Sequence, residues 1–187
     1  MRTYFSLLNL AIIMIFVIGC QSKGSAPFQS EKKIMPMSNN EKNIVKSENP
    51  YYSRTDTTRL HVSDVEWKKV LSPDLYAVSR EKDTERPFTG KYWEFSAKGT
   101  YYCAACGNKL FRSDSKFASA CGWPSFFEQE NLSSVVYQSD NAYGMNRTEA
   151  LCGRCGGHLG HLFDDGPPPT GKRYCMNSIC LDFEAAH

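Results

Sequence analysis

The chain has 187 residues, a formal net charge of +2 and 41% hydrophobic residues. That length suits one domain with appendages, and the near-neutral charge leaves no electrostatic footprint for a nucleic-acid partner. The informative count is the eight cysteines: Cys20, Cys103, Cys106, Cys121, Cys152, Cys155, Cys175 and Cys180.

Residues 1–19 carry Arg2 and then an apolar run from Leu7 to Ile18, broken only by Asn9. The run is shorter than the roughly 20 residues that span a bilayer and reads as the apolar region of a secretory signal. It stops at "VIGC", which resembles a bacterial lipoprotein lipobox. That resemblance implies lipidation of Cys20, which would become the mature N-terminus, with several acyl chains anchoring it stably to a membrane. An ordinary signal peptide or an uncleaved anchor are the alternatives. The expected location is outside the cytoplasm, facing the periplasm or the cell exterior, and Gln21 after the cysteine leans toward an outer membrane. Residues 20–60 are polar, show no period of 2 or 3.6, and read as a flexible tether to a globular domain at 61–187.

The domain opens with two short helices. Ser63 stands three residues before Glu66, a capping-box signature, with Val65, Val70 and Leu71 at roughly helical spacing. A second helix restarts at Ser72 as N-cap, with Pro73 in the first position and Asp74 in the first turn. After Pro87 the chain turns into short aromatic and β-branched runs punctuated by Gly, Pro, Asn and Asp. The fold class expected is mainly β, with antiparallel sheets behind short N-terminal helices.

Two C-x-x-C turns, "CAAC" at Cys103 and Cys106 and "CGRC" at Cys152 and Cys155, offer four thiolates. Zinc takes four soft ligands in a tetrahedron, so the pattern reads as one closed, structural four-cysteine zinc site clamping two distant hairpins. Gly107, Gly153, Gly156 and Gly157 permit the tight turns this needs. Disulfides or a C-x-x-C redox centre are the rivals, and a zinc module that only docks another protein would need nothing more.

Three cysteines remain. If "RYCMNSICLDF" is one regular strand, Cys175, Asn177, Ile179, Leu181 and Phe183 share a side and Met176, Ser178 and Cys180 share the other. Cys175 and Cys180 would then stand too far apart for a disulfide, with Cys180 a buried core residue. Arg173 would lie beside Cys175 and lower its pKa, and Asn177 could donate to a developing oxyanion. Cys121 sits in a Gly- and Pro-flanked loop, "ACGWPSFF". "GGHLGHLFDDG" adds His158, His161 and Asp165 as acid–base or orienting groups.

The segments "RPFTGKYW", "CAACGNKLF", "CGWPSF" and "CGRCGGHLGHLFDDGPPPTGKRYCMNS" together resemble the methionine-R-sulfoxide reductase B family, from about Val62 to Phe183. The resemblance implies that family's antiparallel β fold with a four-cysteine zinc site. It places the nucleophile on Cys175, which would become a sulfenic acid, and the resolving cysteine on Cys121, which would form a disulfide with it. It gives His158, His161 and Asn177 the binding and polarising of the sulfoxide oxygen, partly through water, and Arg173 and Asp165 its protonation and orientation. Trp123 would receive the S-methyl group. The implied partners are methionine sulfoxide in oxidised proteins and a thioredoxin-like dithiol, which outside the cytoplasm must draw electrons across the membrane. The chain is expected to act as a monomer. Cys180 and the lipoprotein leader depart from the family's commonest pattern.

Overall fold

The computed structural model describes residues 49–187. The expected leader, Cys20 and the tether up to residue 48 lie outside the described residues. The tether drawn to residue 60 overlaps the domain: Asn49 is buried, and residues 49–60 run as a strap across the body of the protein.

Two helices follow the strap. In α1 (Asp64–Val70) the Ser63 hydroxyl accepts from the Glu66 N–H, and in α2 (Pro73–Glu81) the Ser72 hydroxyl accepts from the Leu75 N–H, each satisfying an otherwise orphaned donor. Sequence spacing put Val65 on the apolar face of α1, yet Val65 is 67% exposed and Trp67 is the buried residue. A seven-residue helix makes too few turns for periodicity to choose among neighbouring positions. α2 ends at Lys82 in the left-handed region, φ 61°, which turns the chain sharply into the loop that overhangs the cleft.

Among the described residues, nine strands then form two antiparallel sheets. One is β2–β1–β9, with β1 Gly99–Cys103, β2 Lys109–Arg112 and β9 Leu181–Ala185. The other is β3–β4–β8–β7–β6–β5, with β3 Lys116–Phe117, β4 Ser125–Phe126, β5 Val135–Asp140, β6 Arg147–Cys152, β7 His158–Phe163 and β8 Arg173–Met176. Aromatic rings fill the space between them. Phe111 and Phe126 stack at 4.3 Å, Tyr101 meets Phe126 edge-on at 4.9 Å, and all three are fully buried. Each such ring contributes about 1.5–3 kcal/mol through burial.

The regular strand expected through residue 183 is broken. β8 stops at Met176, Asn177 turns the chain, Ser178–Cys180 form a 3-10 turn, and β9 resumes in the other sheet. Alternation holds only within β8, where Arg173 and Cys175 are half-buried and Tyr174 and Met176 are buried. The cause is a carboxylate far away in sequence. Glu85 accepts from the Ser178 N–H at 2.5 Å and the Ile179 N–H at 3.0 Å, satisfying donors that a continued strand would have paired.

Candidate active site and metal centre

The two C-x-x-C turns are built alike. In the first, Gly107 N donates to Cys103 O and Cys103 N to Asn108 O; in the second, Gly156 N donates to Cys152 O and Cys152 N to Gly157 O, all at 2.8 Å. Gly107 and Gly156 take φ of 80° and 69°, a conformation other residues adopt at a cost. The first turn joins β1 to β2 and the second joins β6 to β7, so the cysteines staple one sheet to the other.

All four Sγ atoms lie within 4.8 Å of one another and are buried. Cys103 and Cys155 are 3.8 Å apart, and Cys106 and Cys152 3.6 Å. A tetrahedron of thiolates about 2.3 Å from zinc has edges of about 3.8 Å, whereas a disulfide needs about 2.05 Å. The spacing and the donor set therefore fit a tetrahedral ion. The neighbouring thiols push the Cys103 thiol well up, while their hydrogen bonds bring Cys152 well down against its burial, so the cluster keeps only part of the protons that a bound ion would displace. Cys180 is 1% exposed and burial raises its thiol well above the usual range, as its expected role in the core requires.

The second group of thiols lies on one face of the six-stranded sheet. Register places Cys175 opposite Ser125 on β4 and His161 on β7, and places His161 opposite Glu149 on β6. Directly opposed residues share a face. His158, three residues before His161, would point the other way in a regular strand. The pairing of β6 with β7 slips between Ala150 and Leu151, leaving Leu159 as an extra residue on β7. This bulge returns His158 to the face of His161, and the two rings meet edge-on at 5.4 Å. A side chain at Gly160 would meet the Cys175 carbonyl at 2.1 Å, so glycine there lets β7 close on β8.

A cavity of about 120 Å³ opens over this face, lined by Cys175, His161, Arg147, Phe163, Trp123 and Thr84 among others. Cys121 approaches Cys175 from its own loop, and the two Sγ atoms stand 3.3 Å apart. Their titrations are linked. Burial first, and then the neighbouring Cys121, push Cys175 up to about 12. For Cys121, burial opposes ionisation, but hydrogen bonds from Ser119, Ser125 and Cys175 outweigh it and bring it down to about 7. The pair thus gives up one proton near neutrality and holds the other. Arg173 pulls Cys175 downward, as expected, but burial and the second sulfur outweigh it.

A model of the SelR domain family matches residues 71–185. Curated proteins named peptide methionine sulfoxide reductase MsrB are similar over the same region. The protein from Methanosarcina barkeri is 56% identical over 122 residues, covering 65% of this chain and 86% of the relative. That from Thiobacillus denitrificans is 56% identical over 121 residues, covering 65% and 92%. That from Agrobacterium fabrum is 52% identical over 126 residues, covering 67% and 93%. The chain belongs to the SelR domain family.

Within this SelR domain the remaining site residues separate by what they touch. His161 Nε2 lies 2.8 Å from Asp140, which also accepts from Arg147 at 2.6 Å. The Ala142 N–H, then His161 and Arg147, hold Asp140 well below the usual carboxylate range. His158 is 3% exposed, with Nδ1 2.7 Å from Glu149, whose other oxygen takes Lys82 at 2.8 Å. Burial lowers the His158 pKa. It is therefore neutral with Nδ1–H toward Glu149, and its Nε2 has no hydrogen-bond partner among the described residues.

Arg173 forms a two-pronged pair with Asp165 at 2.7 and 2.9 Å and lies 4.3 Å over the Phe163 ring. Asp165 is exposed, and its contact with the site is this pair with Arg173. Asn177 lines the cavity, yet its amide is engaged by backbone: Oδ1 accepts from Glu85 N and Nδ2 donates to Leu159 O. Its first duty is to hold the turn after Cys175, and the oxyanion-donor role expected of it retains at most the second amide hydrogen. Trp123 donates Nε1–H to the Glu85 carbonyl at 3.1 Å and presents its ring to the cavity. Sequence reasoning missed Glu85, Asp140, Arg147, Glu149 and Lys82. Arg147 and Glu149 stand in "NRTEA", whose alternation is readable, but nothing in it tells which face meets the cysteines.

Proposed function

We propose that this chain reduces methionine (R)-sulfoxide, free or in proteins, to methionine. The observation that carries this reading is Cys175 lining a cleft whose walls divide into polar and aromatic sides, with Cys121 3.3 Å from it. Trp123 and Phe163 suit the S-methyl group, while His161 and Arg147 suit the sulfoxide oxygen.

The Cys175 sulfur attacks the sulfoxide sulfur. The sulfoxide oxygen gains the proton the thiol loses and ends on Cys175 as a sulfenic acid, and methionine leaves with its lone pair restored. No net proton is consumed, so a nucleophile that keeps its proton near neutrality brings the one the oxygen needs. His161, oriented by Asp140, is placed to pass it. The Cys121 thiolate then attacks the sulfenic sulfur, whose oxygen takes up a proton from solvent and leaves as water, closing a disulfide about 1.3 Å shorter than the present contact. A thioredoxin-like dithiol reopens it.

The four-cysteine cluster holds one structural zinc ion in this reading, with no open position for substrate. In the same reading the domain is a lipid-anchored protein outside the cytoplasm that repairs oxidised exported proteins; the apolar run ending at "VIGC" supports this. The test of the activity offers both epimers of a protected methionine sulfoxide with dithiothreitol. The R epimer is expected to be consumed and the S epimer left intact. Turnover of the S epimer alone, or of neither, overturns the proposal.

A further inference from the structure

We propose that residues 49–60 act as a latch on the four-cysteine site and govern how fast its zinc ion can leave. This rests on the reading of that site as a zinc site. The strap lies outside the stretch matched by the family, which begins at residue 71, yet its backbone and side chains bond to the turns that carry the cysteines. The Asn49 side-chain amide donates to Ala105 O at 2.9 Å, Ser53 N donates to Cys106 O at 3.0 Å, and Leu60 N donates to Arg154 O at 2.8 Å. Gly107 permits this approach, since a Cβ there would stand 2.5 Å from the Ser53 carbonyl. The strap therefore crosses both cysteine turns and is tied to each.

Arg154 joins the strap to the charge of the site. It sits between Cys152 and Cys155 and is 4% exposed. Its Nη1 donates to Cys106 O at 2.6 Å and to Tyr51 O at 2.9 Å, and its Nη2 pairs with Asp56 at 2.8 Å. Two of these three acceptors belong to the strap. Its Nε is buried with no hydrogen-bond partner among the described residues. A guanidinium taken out of water is costly unless opposite charge lies near. Asp56 supplies one such charge, and four thiolates around a divalent ion, two net negative charges in all, would add to it. The strap in turn fixes where the guanidinium sits. Midway along the strap, Arg54 pins it to β9 through Asp182 at 2.8 Å and Glu184 at 2.6 Å.

Donors around the ligands of a metal typically change its affinity 10–100-fold. Here the coupling runs both ways: the docked strap retains the ion, and the ion retains the docked strap. The latch is independent of the reaction at Cys175, and its test reads metal rather than turnover. The full chain, loaded with zinc, is mixed with a chromogenic chelator and the rate of zinc transfer is followed. Asn49→Ala combined with Arg54→Ala removes strap contacts while leaving every residue of the two cysteine turns unchanged, and is expected to release zinc about 10–100-fold faster. Arg154→Gln is expected to release it at least as fast, and Arg154→Lys, which keeps the charge, to fall between. In parallel, the Arg59–Leu60 bond of the doubly substituted chain should be cut by trypsin sooner than that of the unmodified chain while zinc is bound. An unmodified chain that takes up no zinc overturns the metal reading and the latch with it. Zinc release at the unmodified rate from the Asn49→Ala, Arg54→Ala chain, with its strap cut faster, overturns the latch alone.

Discussion

Four cysteines meet between two hairpin turns and two meet at the floor of the cleft, and their surroundings sort them. The four are buried, 3.6–3.8 Å apart within pairs, and lie where two sheets must be held together. The two are half-buried, 3.3 Å apart, and lie on one sheet face beside a histidine and a pair of hydroxyls. The four thiols are spaced for an ion and contribute cohesion. The two are spaced for each other, and neighbours split their acidity from about 7 to about 12. A thiol's task follows from how many sulfurs share it and how much water reaches it.

The largest effect expected from breaking this contrast is on the cohesive set. Binding at a site of this type contributes on the order of 10–16 kcal/mol, against a net stability of about 5–15 kcal/mol for a typical domain. Stripping the ion with a strong chelator, or Cys152→Ser, should abolish the cooperative thermal transition followed by circular dichroism. A metal-free chain that melts within a few degrees of the loaded one would show that the sheets need no staple.

The cleft pair should behave in the opposite way. Cys175→Ser is expected to leave the melting curve and bound metal unchanged while sulfoxide turnover falls to background. Cys121→Ser should release about one methionine per chain with no external dithiol and then fail to cycle with thioredoxin. It should also let Cys175 ionise below about 12, because the neighbouring sulfur is one of the two main causes that hold it there. Thiolate absorbance near 240 nm reads this shift, and an unmoved midpoint would mean that burial alone sets it.

Sequence reading found both sets of thiols, the histidines and the antiparallel class because each leaves a local mark: a C-x-x-C spacing, a glycine-flanked turn, a period. It failed where a distant residue decides. Alternation through "RYCMNSICLDF" is sound until Glu85, more than ninety positions upstream, captures the Ser178 and Ile179 amides and ends the strand. Arg173 was judged by its neighbour in β8, while the pKa of Cys175 answers to burial and to Cys121 across the fold. His158 and His161 share a face only because of a bulge, and a bulge shows in pairing, not in composition. The strap reads as a polar linker because its bonds are made mostly by backbone and by a few polar side chains, which look the same whether they face water or the cysteine turns.

The smallest change concerns a group that lies behind the cleft pair. Glu149 holds Nδ1 of His158 and is itself held by Lys82, which fixes the tautomer and leaves Nε2 as an acceptor. Burial lowers the His158 pKa and Glu149 opposes that lowering, so Glu149→Gln should drive it lower still. The sign for stability follows. A histidine that resists protonation only when folded contributes fully above its unfolded pKa of about 6.5, and that contribution is lost as pH falls toward the folded value. The substituted chain should therefore lose more stability as pH falls below about 6.5 than the unmodified one. Its kcat should fall only severalfold, short of the roughly 100-fold low end for losing an acid–base group outright, because His158 lies behind His161, with little change in KM. Glu149→Asp, which keeps the carboxylate, should restore the His158 titration midpoint read from its ring protons. If Gln and Asp leave that midpoint equally displaced, Glu149 fills space in the sheet and does not orient the ring.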